Sequence, residues 1–160
     1  MFSSLEEILS VESISGYLMI IYVDASYDDK KGVAGMGIVV CKGQKRRTIS
    51  NWGHFHSINE AELFAIYQGC ILSGGEPCEI ITDSQTALQY IERGVKDKPR
   101  TKEQYIRHKH CEFWAYKIRK FKNCTFTKEK AHTNRFQTRS VGNSLADILS
   151  REGRAKFYER

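Results

Sequence analysis

Hydrophobic and polar positions divide the chain into two kinds of pattern. Leu18-Met-Ile-Ile-Tyr-Val-Asp-Ala-Ser26 is an apolar run rich in β-branched and aromatic residues, without a helical period. It reads as a strand covered on both faces. Residues 33–41 and 46–55 continue in the same manner, joined by short polar turns, which predicts an antiparallel meander. Gly35 and Gly37, inside the second strand, imply that another backbone or a ligand comes close there. At Ser57 the period changes. Ile58, Leu63, Ile66, Tyr67, Cys70 and Ile71 follow a helical spacing to residue 72, with Ser57 and Glu60 as a capping box and Ser73-Gly-Gly-Glu-Pro77 as the stop. A short buried strand over 78–83 ends on Asp83, and helices are expected over 84–93 and 101–121. A last strand over 123–131 and a final helix opening at 142–149 complete the order. Strand, helix, strand, helix requires a parallel crossover, so the predicted sheet is mixed. Residues 3–15 carry a partial apolar stripe behind Ser3 or Ser4 and predict a short packing helix.

Four acids stand out by position. Asp24 lies within the first strand, where a lone charge costs several kcal/mol unless something pairs with it. Glu62 falls in the early turns of the first helix, Asp83 ends a buried strand, and Asp147 opens the last helix on a face with Asn143. Ligands of open α/β sheets gather at the carboxyl ends of strands, and helices starting there point early residues into the same space. Four carboxylates in one cleft repel one another, and divalent cations relieve that repulsion. An all-oxygen set without a Cys or His pattern suits Mg²⁺ or Mn²⁺. Two such ions are a known device for in-line phosphodiester displacement.

Charge sharpens the picture. Residues 93–122 hold eleven Lys/Arg against three Asp/Glu, a surplus of eight where the whole chain has +6, so the remainder is slightly acidic. Local basicity interleaved with Tyr105, Phe113, Trp114 and Tyr116 points to a phosphate backbone, with Lys117, Arg119 and Lys120 as candidate contacts. No apolar run approaches the ~20 residues of a membrane span, so no membrane partner is expected. The N-terminus lacks a signal-peptide pattern. Five cysteines (41, 70, 78, 111, 124), an odd set without CxxC spacing, suit the reducing cytoplasm and predict no disulfide partner. Cys41, Cys70 and Cys78 read as small core residues, and Trp52 and Trp114 as core or rim. His54, His56, His108 and His110 carry no assigned role, because 108 and 110 lie two apart on a helix and do not share a face.

Five ordered motifs, Tyr22-Val-Asp-Ala-Ser26, Asn59-Glu-Ala-Glu-Leu63, Ile81-Thr-Asp-Ser-Gln85, Lys130-Ala-His-Thr133 and Asn143-Ser-Leu-Ala-Asp-Ile-Leu149, resemble those of type 1 ribonuclease H across residues 18–150. The resemblance implies an α/β fold with a mixed five-stranded sheet in order 3-2-1-4-5 and helices on both faces. It also implies Mg²⁺-dependent cleavage of the RNA strand of RNA–DNA hybrids using two ions, with Mn²⁺ as a substitute. Asp24, Glu62, Asp83 and Asp147 match the metal-binding positions, and His132 the proton-transfer position. Ser57, Asn59 and Gln85 match positions that contact the hybrid. Departures are Ala25 for a glycine, Ile58 for a second asparagine, and a longer His132–Asp147 interval enlarged at 133–140. The expected organisation is an N-terminal extension (1–17), the ribonuclease H domain (18–150) and a frayed, charged tail (151–160), acting as a monomer. Two other readings are a different nuclease on this scaffold, such as a Holliday-junction resolvase or DNA exonuclease, and a binding module with a lapsed site. The Ala-Glu-Leu, Thr-Asp-Ser-Gln and Lys-Ala-His-Thr motifs favour the first reading, and the presence of all four acids weighs against the last.

Overall fold

Three ten-residue strands form first along the chain, and everything else packs on them. The computed structural model describes residues 18–94, 98–129 and 141–160. Strands β1 (Met19–Asp28), β2 (Val33–Lys42) and β3 (Lys45–His54) precede helix α1 (Ile58–Leu72). Strand β4 (Cys78–Thr82), helices α2 (Gln85–Arg93) and α3 (Lys102–Ile118), strand β5 (Cys124–Lys128) and helix α4 (Val141–Glu159) follow. The sheet order is β3-β2-β1-β4-β5. β1–β2 and β2–β3 pair antiparallel, and β1–β4 and β4–β5 pair parallel. The expected mixed sheet and its 3-2-1-4-5 order are both present. The helix expected over 3–15 and residues 130–131 of the last expected strand lie outside the described residues.

Burial on β2 shows why the middle of the sheet is apolar throughout. Ala34, Met36 and Ile38 face the main core with α1, where Ile21, Val23, Leu63, Ile66 and Ile80 are fully enclosed. The alternate residues Gly35 and Gly37 face α4. A Cβ at Gly35 would overlap the Ser150 carbonyl, and one at Gly37 would overlap the Ala146 carbonyl and come within 2.6 Å of the Ser150 nitrogen. The close partner implied by these glycines is therefore the backbone of α4. Gly142 lies likewise against the Tyr22 ring and Gly153 against the Asn51 backbone. A helix with small residues at these positions sits deep on the sheet, where β1, β2 and β3 all touch it.

The C-terminal segment departs from expectation. Residues 151–159, expected to fray, continue α4. Arg154 Nη1 donates to the Tyr27 carbonyl at 3.0 Å, and Lys156 Nζ to the Ser50 carbonyl at 2.8 Å. Tyr158 donates its hydroxyl to Asp28, and Phe157 meets Trp52 edge-on at 5.1 Å between centroids. Charge along this segment suggests a solvated tail, yet these side chains find partners on β1 and β3.

Candidate active site

The site is built where β1 and β4 part. Their parallel register runs from Met19–Cys78 to Tyr22–Ile81. Asp24 and Asp83 each lie two residues beyond the last registered pair, so they flank the opening where β1 runs on past the end of β4. The β1 side is rigid, because Asp24 is still paired with Gly37 of β2. On the other side, β4 stops at Thr82, whose hydroxyl accepts from the Ser84 N–H at 3.1 Å. Ser84 caps α2 by accepting from Ala87 N–H at 3.1 Å. A strand end, a turn and a helix start thus fix Asp83 within three residues.

Glu62 arrives from the opposite layer. Ser57 caps α1 as expected, accepting from the Glu60 N–H at 3.1 Å. The reciprocal bond of the capping box is shifted, since Glu60 accepts from the His56 N–H at 2.8 Å. With the helix so anchored beside the strand ends, Glu62 in its second turn reaches the same opening. Carboxylate oxygens of Asp24, Glu62 and Asp83 lie within 4.8 Å of one another. Asp24 and Glu62 are only 6% and 7% exposed, and Asp83 is exposed. Mg²⁺ takes oxygens at about 2.0–2.1 Å, so opposite ligands of an octahedron stand about 4.2 Å apart. The three acids fit such an ion with small side-chain adjustments, and two of them sit where a buried negative charge calls for a counter-charge.

Asp147 is held differently. It is outside that three-acid group, partly exposed, and paired with Arg151 at 2.9 Å. Its position along the sheet nevertheless matches that of Asp24. Ala146, its neighbour, lies on Gly37, and Gly37 is the register partner of Asp24. His132 lies outside the described residues.

A groove of about 1360 Å³ is lined by Ser57 and Asn59, by the cations Lys98, Arg100 and Arg107, and by the acids Asp29 and Glu103, among others. Two of the sequence-predicted contacts, Ser57 and Asn59, are therefore on its wall. Gln85, exposed, opens α2 two residues after Asp83. Lys117 and Lys120 lie at the far end of α3. Lys117 sits over the rings of Tyr67, Phe113 and Trp114 at 5.3, 5.3 and 5.7 Å, and Lys120 over Tyr116 at 4.5 Å. Arg119 has a packing task, donating to the Tyr90 carbonyl at the end of α2 at 3.0 Å. Lys98, Arg100 and Arg107 were not singled out from the sequence. Their only signal there is membership of the basic segment; the break before α3 brings Lys98 and Arg100 to the groove, and Arg107 joins them from within α3.

A mixed sheet in this order, with carboxylates clustered at the parting strands, defines an RNase H-like α/β protein with a candidate divalent-metal site. The structure resembles RNase H1 from the halophilic archaeon Halobacterium salinarum NRC-1, with a TM-score of 0.59, 15% identity and coverage of 86% of this chain and 98% of that one. It also resembles LC11-RNase H1 solved in complex with an RNA/DNA hybrid, with a TM-score of 0.57, 20% identity and coverage of 88% and 99%. Prototype foamy virus protease-reverse transcriptase gives a TM-score of 0.60 at 25% identity, over 87% of this chain and 21% of the viral one. No curated protein sequence matches significantly. The RNase H family model matches residues 17–155, and the chain belongs to that family and is a ribonuclease H by that membership.

Proposed function

We propose that the protein hydrolyses the RNA strand of RNA–DNA hybrids with two divalent ions, leaving 5′-phosphate and 3′-hydroxyl ends. The observation that carries this reading is the convergence of Asp24, Glu62 and Asp83 oxygens within 4.8 Å of one another. The hybrid substrate is supported by family membership and by the hybrid-bound LC11-RNase H1. Asp24, Glu62, Asp83 and Asp147 would hold the ions, which supply water activation and neutralise charge on the leaving oxygen. Glu62, reaching in from α1, is the acid assigned to the side of the ribose 2′-hydroxyl, the group that separates RNA from DNA. Ser57 and Asn59 would orient the hybrid along the groove, and Lys98, Arg100 and Arg107 would bind its phosphates. His132 is assigned proton transfer on the strength of its motif, a neutral imidazole being suited to that task near pH 7.

A comparative digestion tests the reading. RNA–DNA hybrid, duplex RNA and duplex DNA are incubated with the protein across a Mg²⁺ and Mn²⁺ titration, and the product ends are mapped. Hybrid cleavage that requires the metal and stops in EDTA is expected. Equal cleavage of duplex DNA would favour the alternative nuclease reading, and full activity in chelator would end the metal assignment.

A further inference from the structure

A second cluster lies on the opposite side of the α1 N-terminus. Glu60 and Glu62 are two residues apart, so they leave the helix on different faces. Glu62 meets the strand ends, whereas Glu60 is turned towards α3 and is 4% exposed. Its Oε1 lies 3.0 Å from His56 Nδ1, and its Oε2 lies 3.8 Å from His110 Nδ1. The two imidazoles stack at 3.8 Å between centroids, inclined by 16°. One ligand atom from each of His56, Glu60 and His110 falls within 4.8 Å of the other two.

We propose that His56, Glu60 and His110 form a separate binding site for a borderline divalent ion of the Zn²⁺ class, which ties the loop before α1 to α3. Two imidazole nitrogens and one carboxylate oxygen form a donor set that such ions prefer, and Mg²⁺ avoids it. The carboxylate is already oriented from behind. The His56 N–H donates to Oε1 at 2.8 Å and Trp114 Nε1 donates to Oε2 at 2.9 Å. Such outer hydrogen bonds typically accompany metal-binding carboxylates. Both imidazoles are half-exposed, with side-chain exposures of 49% and 42%, which gives an ion an entry path and leaves coordination positions for water. An imidazole lone pair lies in the ring plane, so binding one ion at about 2.1 Å requires the stacked rings to rotate until both planes meet at it, a motion open to exposed side chains. Residues 56 and 110 belong to elements far apart in the chain, so an ion joining them closes a long loop and stabilises the fold. Ser57 and Asn59, on the groove wall, are the nearest residues such a clamp would steady. Nothing in this inference depends on the hybrid substrate.

Co²⁺ serves as the probe, because nitrogen-rich sites of low coordination absorb visible light strongly and an octahedral all-oxygen site does so weakly. The full chain is titrated beside Asp24→Asn/Asp83→Asn and His56→Gln/His110→Gln. Wild type and the aspartate variant are expected to take up one Co²⁺ with strong visible bands. The histidine variant is expected to lose at least about 100-fold in affinity. In wild type, Zn²⁺ should shift the ring resonances of His56 and His110 in ¹H–¹⁵N spectra, a readout that needs no variant. Bands absent from wild type, retained in the histidine variant or lost from the aspartate variant would overturn the proposal, as would unshifted ring resonances at saturating Zn²⁺.

Discussion

Asp24→Asn separates the electrostatic role of the acids from their structural one. Unit charges 4.8 Å apart repel by about 3.5 kcal/mol at an effective dielectric constant near 20. Asp24 faces two such neighbours, but Asp83 is exposed and its share is screened by water, so relief of about 1–3 kcal/mol is reasonable. Asparagine keeps the shape of the side chain and the β1–β2 pairing while removing the charge. One kcal/mol moves the melting midpoint of a chain this size by about 2–4 °C. In EDTA the variant should therefore melt several degrees above wild type. Mg²⁺ should reverse the order. At a hundredfold excess over its dissociation constant, an ion that binds only the folded chain adds about 2.7 kcal/mol. Wild type gains this, and the variant, lacking one ligand, gains little. Hybrid cleavage by the variant should fall by about 10²–10³-fold or more. Calorimetry of both proteins with and without Mg²⁺, beside a cleavage assay, reads all three effects. A variant that melts below wild type in EDTA and gains equally from Mg²⁺ would refute the assignment of these acids to a shared ion.

Further predictions rest on other parts of the molecule. Gly37→Ala forces a methyl group into the α4 backbone and should cost about 1–3 kcal/mol in urea unfolding, with cleavage reduced because Asp147 moves with the helix. An unchanged urea midpoint would contradict the close approach. Lys117→Glu/Lys120→Glu should weaken hybrid binding and lower its dependence on salt concentration, as expected if those ammonium groups displace counterions; binding isotherms at several salt concentrations measure this, and an unchanged slope would leave the end of α3 as a solvated face. Burial raises the Cys78 thiol to about 12 and the Cys111 thiol to about 11, and raises Cys70 too. The partly exposed Cys41 should consequently react first with iodoacetamide at pH 8, the buried thiols only on unfolding. Because the folded chain holds those protons more tightly, their contribution to stability is full below pH 9.0, the ordinary thiol value, and is lost as pH rises towards 11–12. Native-state labelling of Cys78 as fast as Cys41 would contradict the burial.

What the chain reveals before folding depends on whether a residue's neighbours are set by local pattern or by packing. Alternation and period place Asp24 in a strand, Glu62 near a helix start and Asp83 at a strand end, because those facts need only a few adjacent residues. Their convergence follows from one topological rule, that ligands gather where parallel strands end and the order reverses. The glycines at 35 and 37 announce a close neighbour without saying which, and only α4 on the sheet decides in favour of backbone. Residues 151–159 mislead because a charged segment reads as solvated until Tyr27, Ser50 and Asp28 are seen to receive it. Glu60 misleads in a subtler way. Its spacing from Ser57 explains it fully as a cap, and the cap is real, yet the same carboxylate also meets Trp114 and His110 from a helix fifty residues away. Spacing rules detect histidines that share a helix face, and 108 and 110 do not. They are blind to a pair formed across an interface, where His56 and His110 are brought together by the packing of α1 on α3. The clustered acids are legible because strand ends and the start of one helix organise them. The histidine cluster is legible only after two helices have docked.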